Sequence, residues 1–316
     1  MQLLSFLALG LGASDVCALL RFSCSGLVTE RLDPLVNPGV KGLPHLHQII
    51  GGNAFNVTMD PKADISTMAT CTTCTFSEDI SNYWTAVLYF RARNGTFKRV
   101  PQIGNQNFEA ANWGMTIYYS PYTAKGIKTT AFQKGFRMLV GDPSLRNKEG
   151  ADKYRQLTYT CLKLQVLGRE KRRICQINLV RLESWRTSGF RRVGMVNFEN
   201  NGPCPSTHPV KIPQLFFEVV WDTRKFNDKS LWPIDGSQPF VWSYGDATGC
   251  GTHGDYVFGW KGDSLQKAMD SNCNINCPAL KTQSIADANK CSLKSVVTED
   301  IDSWLTELPG GMPVVE

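Results

Sequence analysis

The chain has 316 residues, 42% of them hydrophobic, and a formal net charge of +6. This length supports a large hydrophobic core, so the eleven cysteines are not needed to replace one. Residues 163–192 carry nine basic and two acidic side chains, so the rest of the chain sums to about −1. Because no nucleic-acid motif with interleaved aromatics accompanies this basic segment, nucleic-acid binding is excluded and a solvated loop is predicted.

The first element in chain order is an apolar run from Leu3 to Leu11. It is too short to span a bilayer, and the small residues that end at Ala18 follow it, as in a secretory signal peptide. We therefore predict a signal peptide over residues 1–18 and a single secreted, extracellular domain over residues 19–316, with two subdomains as the alternative. Its C-terminal tail, from about residue 275, is expected to be less regular. No later stretch predicts a membrane span.

Removal of the signal peptide leaves ten cysteines, an even number that suits an oxidising compartment. Their pairing does not follow from the sequence. Cys71 and Cys74 have a redox spacing, but no βαβ pattern surrounds them, so structural disulfides are predicted. The sequons at Asn56 and Asn94 predict surface N-glycosylation.

Short apolar runs rich in β-branched and aromatic residues predict mainly strands. The predicted strands are Tyr83–Phe90, Gly114–Tyr119, Phe136–Val140 and Leu215–Trp221. Asn94-Gly95 predicts a tight hairpin turn, and Asp263–Asn272 and Thr298–Leu308 predict short helices, the first with Asp263 as N-cap. The fold class is therefore β-dominated, all-β or α+β. We expect an antiparallel β-sandwich with long disulfide-tied loops and a few short helices.

The candidate chemistry comes from four histidines: His45, His47, His208 and His253. In an extended segment, His45 and His47 share one face while Leu46 turns to the core, and Asp255 repeats that spacing after His253. The predicted catalytic residues are His45, His47, His253 and Asp255. The predicted ligands of a zinc, copper or manganese ion are His45, His47, His208 and His253. Loop histidines bonded to the backbone, and metal-free acid–base catalysis, remain as alternatives.

Other candidate residues are carboxylates and aromatics. Glu218 and Asp222 share one face of a predicted strand, which favours either a glycosidase-like pair or a structural ion pair with Arg137 or Arg224, the latter preferred. Aromatic side chains can form a sugar-stacking floor, although most are expected in the core. The residues predicted to bind substrate are Asn53, Tyr83, Trp84 and Trp260.

Several stretches together carry a family resemblance: Glu30–Pro34, His45–Asn53, Asn82–Trp84, Cys204–Val210 and His253–Trp260. Over nearly all of residues 21–275 the chain resembles the secreted fungal domain-of-unknown-function family DUF1996. The resemblance implies an extracellular protein, attached in some relatives to a carbohydrate-binding WSC module, and implies no established activity. Around residues 165–197 the chain lacks acids and a histidine of the family pattern, so this segment is either diverged or a misread exon.

The sequence leaves two functions open. One is a secreted protein that acts on or binds cell-wall polysaccharide through a histidine-lined cleft, with or without a divalent metal. The other is a non-catalytic extracellular protein that binds carbohydrate or a surface. Neither the presence of an enzymatic activity nor the oligomeric state follows from the residues.

Overall fold

A computed structural model describes residues 20–103, 113–121, 128–154, 157–166, 169–179, 184–185, 209–271 and 273–315. The predicted signal peptide and His208 lie outside these ranges. In the part of the chain that the structure describes, no helix is long and apolar enough to cross a membrane.

Strands dominate the described residues, which confirms the predicted fold class. The strands are β1 (Leu20–Glu30), β2 (His47–Gly51), β3 (Asn82–Ala86), β4 (Leu88–Arg91), β5 (Phe97–Arg99), β6 (Gln102–Ile103), β7 (Gly114–Ser120), β8 (Arg137–Gly141), β9 (Thr158–Val166), β10 (Arg169–Leu179), β11 (Ser184–Trp185), β12 (Val210–Lys211), β13 (Gln214–Trp221), β14 (Phe240–Trp242) and β15 (His253–Val257). The α-helices are α1 (Ile65–Met68), α2 (Lys148–Ala151), α3 (Ser264–Asp270) and α4 (Ile285–Ala288). Short 3₁₀ helices cover Asp152–Tyr154, Thr223–Phe226, Lys229–Leu231 and Pro309–Gly311.

The largest sheet has the strand order β8-β15-β3-β2-β1-β7-β13-β10-β9, with β6 paired to β13, and its strands pair antiparallel. Strand β1 joins two halves, since its first part pairs with β7 and its last part with β2. A register shift between Gly26 and Val28 marks the change, as expected where one strand serves two packed sheets. Across the interior, Tyr83 of one half contacts Tyr119 and Phe217 of the other. The two halves therefore form the predicted sandwich.

A hydrogen-bonded chain of buried side chains crosses this interior. The Tyr83 hydroxyl donates to Asp79 at 2.7 Å and lies 2.7 Å from the Tyr119 hydroxyl, which is 2.8 Å from that of Tyr256. Trp260 donates its indole N–H to the Tyr119 oxygen at 3.1 Å. Burial raises the pKa of Asp79 to about 7. These polar groups thus satisfy one another inside the apolar core.

The predicted strand Tyr83–Phe90 is wrong in one respect, because it is two strands in different sheets. At Val87 the chain leaves the large sheet: its N–H donates to the Leu46 carbonyl and its carbonyl accepts from Ser243. Strand β4 then joins the three-stranded sheet β14-β4-β5. The Asn94-Gly95 hairpin between β4 and β5 is confirmed, with Gly95 at a φ of 84° that suits glycine.

The predicted strands Gly114–Tyr119, Phe136–Val140 and Leu215–Trp221 are confirmed to within one residue at each end, as β7, β8 and β13. The first predicted helix is confirmed as α3. Asp263 stands at its N-cap position, but its carboxylate pairs with Lys267 at 2.9 Å instead of capping the helix.

The second predicted helix, Thr298–Leu308, is wrong. Leu305 instead forms a β-bridge to Phe97, with two backbone hydrogen bonds of 2.8 Å each, and the Asp300 carboxylate accepts from the backbone of Ser303. Strand β5 offers unpaired backbone groups at its edge, and pairing there outweighs the weak helical preference of a short segment.

The basic segment was predicted to be a solvated loop, and this is wrong for its first part. Residues 169–179 form β10, which pairs antiparallel with β9 on one side and β13 on the other. The backbone of β13 would otherwise be an open edge, and β10 satisfies it. Most of residues 180–208 lie outside the described ranges.

Three disulfides tie loops to this framework: Cys24–Cys74, Cys71–Cys291 and Cys273–Cys277. Cys71 and Cys74 bond to different partners, so the prediction that they serve structural disulfides is confirmed. The Cys71–Cys291 bond holds the C-terminal tail against the segment between α1 and β3, although the tail contains little regular structure of its own.

Candidate metal centre

Two histidines meet over the outer face of the half-sheet formed by β2, β3 and β15. His47 of β2 stands opposite Ala86 of β3, and His253 of β15 stands on the other side of Ala86, one residue beyond the Gly254–Thr85 pair. Two residues on strands that flank a common strand have backbones about 9.5 Å apart. Their side chains can therefore touch only if the residue between them, on the central strand, is small. Ala86 provides that space, and the two Nε2 atoms lie 3.3 Å apart.

His45 completes the cluster from the segment before β2. Leu46 is fully buried, so the extended backbone places His45 and His47 on one side, with ring centroids 5.7 Å apart. The His45 ring also lies 5.3 Å from His253 and 4.7 Å from Tyr244. One ligand nitrogen from each histidine lies within 4.8 Å of the others. The structure therefore brings together three of the four predicted histidines.

Backbone contacts fix the proton positions on two of these rings. The Nδ1 of His47 lies 2.9 Å from the Leu32 carbonyl, and the Nδ1 of His253 lies 3.2 Å from the Gly251 carbonyl. A carbonyl oxygen can only accept, so each Nδ1 carries the hydrogen. In the neutral rings each Nε2 then holds a lone pair, and the two lone pairs face each other.

Near neutral pH, protonation of one ring does not remove the repulsion between the two facing lone pairs. Burial first, together with the neighbouring histidines, lowers the pKa of His45, His47 and His253 from 6.5 to about 4. A shared proton is thus disfavoured, whereas a cation bound to both lone pairs is not. Two nitrogens 3.3 Å apart, each about 2.05 Å from one ion, subtend about 107° there, close to the tetrahedral angle.

The carboxylates of Asp33 and Asp255 lie close to the His47 ring. One oxygen each of Asp33 and Asp255 lies within 4.8 Å of a His47 nitrogen. Asp255 is fully buried, and neither of its oxygens has a hydrogen-bond partner among the described residues. Burial, and then the negative Asp33, raise the pKa of Asp255 well above its usual value. A nearby divalent cation would offset this unfavourable burial of an acid.

A cavity of about 230 Å³ opens onto His45 and His253. Its remaining lining residues are Asp33, Val36, Asn37, Leu43, Pro44, Leu139 and Pro143. His47 is not among them and is wholly buried. A ligand would therefore reach an ion held by the cluster from the side of His45 and His253.

The backbone around His253 leaves no spare room. Gly141 of β8 pairs with His253 and has a φ of 92°. A Cβ at this position would lie 2.1 Å from the Thr252 carbonyl oxygen and 2.8 Å from the Cα of His253. Glycine is therefore required for β8 to approach the strand that carries the imidazole.

The residues predicted to bind substrate lie elsewhere. Tyr83, Trp84 and Trp260 are at most 2% exposed and belong to the core, and the Asn53 side chain bonds to Thr70 in a loop. None of the four lines the cavity beside the histidines. Their role in substrate binding stays a prediction, and nothing below depends on it.

The Glu218 and Asp222 pair has local partners. Asp222 forms an ion pair with Arg224, and Glu218 accepts a hydrogen bond from Tyr118. Arg137, the other predicted partner, donates to the Met59 carbonyl. The contact between Asp222 and Arg224 agrees with the predicted structural ion pair. A contact of Glu218 with Arg137 or Arg224 is not among the contacts of the described residues.

Asp33, Ala86 and Tyr244 were missed as site residues. Asp33 stands in the Glu30–Pro34 stretch that contributes to the family resemblance, which was the only available signal. Ala86 gave none, because its importance depends on the strand register.

The comparisons with known proteins are brief. No curated protein and no solved structure matches this chain. The family model described as Domain of unknown function (DUF1996) matches residues 33–260, which includes Asp33, all three clustered histidines and Asp255. Since this match covers well over half of the sequence, the chain belongs to the DUF1996 family.

Proposed function

We propose that this chain is a secreted protein that binds one divalent transition metal through His45, His47 and His253 and uses this centre to act on cell-wall polysaccharide. The observation that carries the proposal is the 3.3 Å approach of two Nε2 lone pairs whose rings are both committed to backbone carbonyls through Nδ1. Three imidazoles with an accessible side are typical of catalytic zinc and of copper sites.

Secretion is supported by two kinds of observation. Three disulfides join described cysteines, and such bonds persist in oxidising compartments. The asparagines of both sequons, Asn56 and Asn94, are exposed, so an attached glycan would meet no steric obstacle. Expression with residues 1–18 intact, followed by N-terminal sequencing of the exported protein and a glycosidase shift assay, tests this part of the proposal.

Metal binding is tested by washing the purified protein with EDTA and reloading it with Zn²⁺, Cu²⁺ or Mn²⁺. We expect stoichiometric uptake of at least one of these ions and a higher melting temperature, because the ion binds the folded state. No uptake together with an unchanged melting temperature would reject the centre.

The geometry itself is tested at Ala86. The substitution Ala86→Leu places a branched side chain between His47 and His253, so we expect metal affinity to fall at least about tenfold. Ala86→Gly serves as the matched control, because it keeps the space open although it weakens the strand. Equal affinity for both variants would contradict the convergence of the two rings over Ala86.

The burial of two of the three histidines also supports a second function. His47 is fully buried and His253 is 2% exposed, which also suits a structural metal in a protein that binds carbohydrate without cleaving it. Incubation with chitin, glucan and pectin separates the two functions. Retention of the protein without new reducing or unsaturated ends indicates binding alone, whereas product release that depends on the metal indicates catalysis.

A further inference from the structure

The cavity above His45 and His253 limits what can reach the proposed metal. Its volume of about 230 Å³ is below the roughly 300–1,000 Å³ of sites for drug-sized ligands. Linked sugar rings do not fit inside it. A polymer would therefore present only a terminal or a pendant group to the ion.

The walls of the cavity select for a neutral group. Apolar side chains form most of the lining, namely Val36, Leu43, Pro44, Leu139 and Pro143. Asn37 is a neutral polar residue, and no Lys or Arg is found among the described residues that line the cavity. Asp33 contributes a carboxylate whose Oδ1 accepts two backbone N–H groups, from Leu35 and Val36. Asp33 and Asp255 both lie beside His47 and together would offset the two positive charges of a divalent ion, so an anionic group such as a sugar acid would gain no net attraction here.

These features describe a small apolar group with one oxygen that can bind a metal. A metal ion polarises a carbonyl oxygen as a Lewis acid, while the methyl end of an acyl group would contact the apolar wall. Resting on the proposed metal centre, we propose that the cavity binds a short neutral acyl ester, such as an acetyl substituent on a polysaccharide, for hydrolysis.

The reaction is a balanced acyl transfer to water. The water oxygen forms a bond to the carbonyl carbon, and the bond from that carbon to the alkoxy oxygen breaks. One proton from the water leaves with the alkoxy oxygen as an alcohol, and the other product is the short carboxylic acid. Nothing is oxidised or reduced, so no further reactant is needed.

The experiment uses the full mature chain reloaded with metal. The substrates are acetylated xylan, the same xylan after chemical deacetylation, 4-nitrophenyl acetate and the bulkier 4-nitrophenyl trimethylacetate. We expect acetate release from acetylated xylan, and cleavage of the small acetate at least tenfold faster than of the trimethylacetate. Cleavage of 4-nitrophenyl acetate without acetate release from xylan would assign the site to small soluble esters and overturn the polysaccharide source.

The cavity is tested by Leu139→Trp, which fills it from a residue that is 40% exposed, with Leu139→Ala as the matched control. We expect the tryptophan variant to lose at least tenfold in ester cleavage, the alanine variant, which leaves the cavity open, to lose less than the tryptophan variant, and both to take up metal normally. Val36→Trp fills the same cavity from another exposed wall residue if Leu139→Trp does not fold.

The outcomes separate this inference from the metal proposal. Normal metal uptake with no cleavage of either acetate ester would overturn the acyl-ester inference and leave the metal centre intact. Absent metal uptake by the wild-type chain would reject the metal centre itself. Equal activity of the tryptophan and alanine variants would show that esters are not bound in this cavity.

Discussion

Strands β3 and β15 bury polar groups on both of their faces, and the two faces differ in one respect. On the inner face, Tyr83 and Tyr256 belong to a chain in which each hydroxyl has a partner. On the outer face, His253 directs its Nε2 at another lone pair, and Asp255 has no partner among the described residues. The same backbone thus carries a hydrogen-bonded tyrosine chain on one face, and facing lone pairs beside an unpartnered carboxylate on the other, although the Thr85 hydroxyl on the inner face also has no hydrogen-bond partner among the described residues. Several potential ligand atoms converge only on the histidine side of these two strands, so that is the face that a ligand would complete.

The largest effect expected from this comparison is on metal affinity. Replacement His253→Ala removes one of the two facing nitrogens, so we expect the affinity for Zn²⁺ or Cu²⁺ to fall at least about 100-fold. Tyr256→Phe, three residues along the same strand but on the inner face, is the matched control and should bind metal like the wild type. Isothermal titration of both variants measures the difference. Comparable losses in both would show that the two faces are not separate.

The inner face should respond to pH with a defined sign. Burial raises the pKa of Asp79 from 3.8 to about 7, so the folded state holds a proton that the unfolded state lacks between these values. Its contribution to stability is fully present below pH 3.8 and is lost as pH rises to about 7. We expect Asp79→Asn to remove this dependence.

Chemical unfolding of the wild type and of Asp79→Asn at several pH values measures that effect. The difference in unfolding free energy should change by about 1.4 kcal/mol per pH unit between pH 5 and 6, less steeply near pH 7, and should be constant above about pH 8. The three histidines titrate in both proteins, so their contribution cancels in the difference. A difference that does not vary with pH would mean that Asp79 is ionised throughout.

The smallest effect is expected from Tyr119→Phe. Loss of this hydroxyl leaves the Trp260 indole N–H without its partner and removes one of the partners of the Tyr256 hydroxyl, which costs about 1–3 kcal/mol of unfolding free energy. Metal uptake should not change. A loss of metal binding in this variant would contradict the assignment of a purely structural role to the inner face.

Local patterns predicted those parts of the fold that depend on local sequence. β7, β13 and α3 follow from hydrophobic periodicity, and the hairpin at Gly95 follows from a turn that needs a positive φ. The interruption of the strand at Val87 could not be predicted, because no turn residue stands there. It arises from hydrogen bonds of the Val87 backbone to Leu46 and Ser243. The helix predicted over Thr298–Leu308 was wrong for the same reason, because Leu305 pairs with Phe97, which lies far away in the sequence.

In the site, too, only the part that depends on local sequence could be predicted. The H-x-H spacing placed His45 and His47 on one side, which the centroid distance of 5.7 Å bears out. The approach of His253 depends on strand register, and the contribution of Asp33 depends on how the loop before β2 folds over the sheet. Single-sequence spacing contains neither kind of information, so it could suggest the group of histidines but not its lone-pair geometry.

The Cys71–Cys291 disulfide has a consequence for how the molecule would tolerate proteases. It closes a loop across 220 positions of the sequence, which contains Leu139, Pro143 and His253 of the cavity, whereas the other lining residues precede Cys71. A single cut anywhere within that loop opens the ring without freeing a fragment. A nicked molecule would therefore keep both halves of the cavity on one covalent body and would separate on a gel only after reduction.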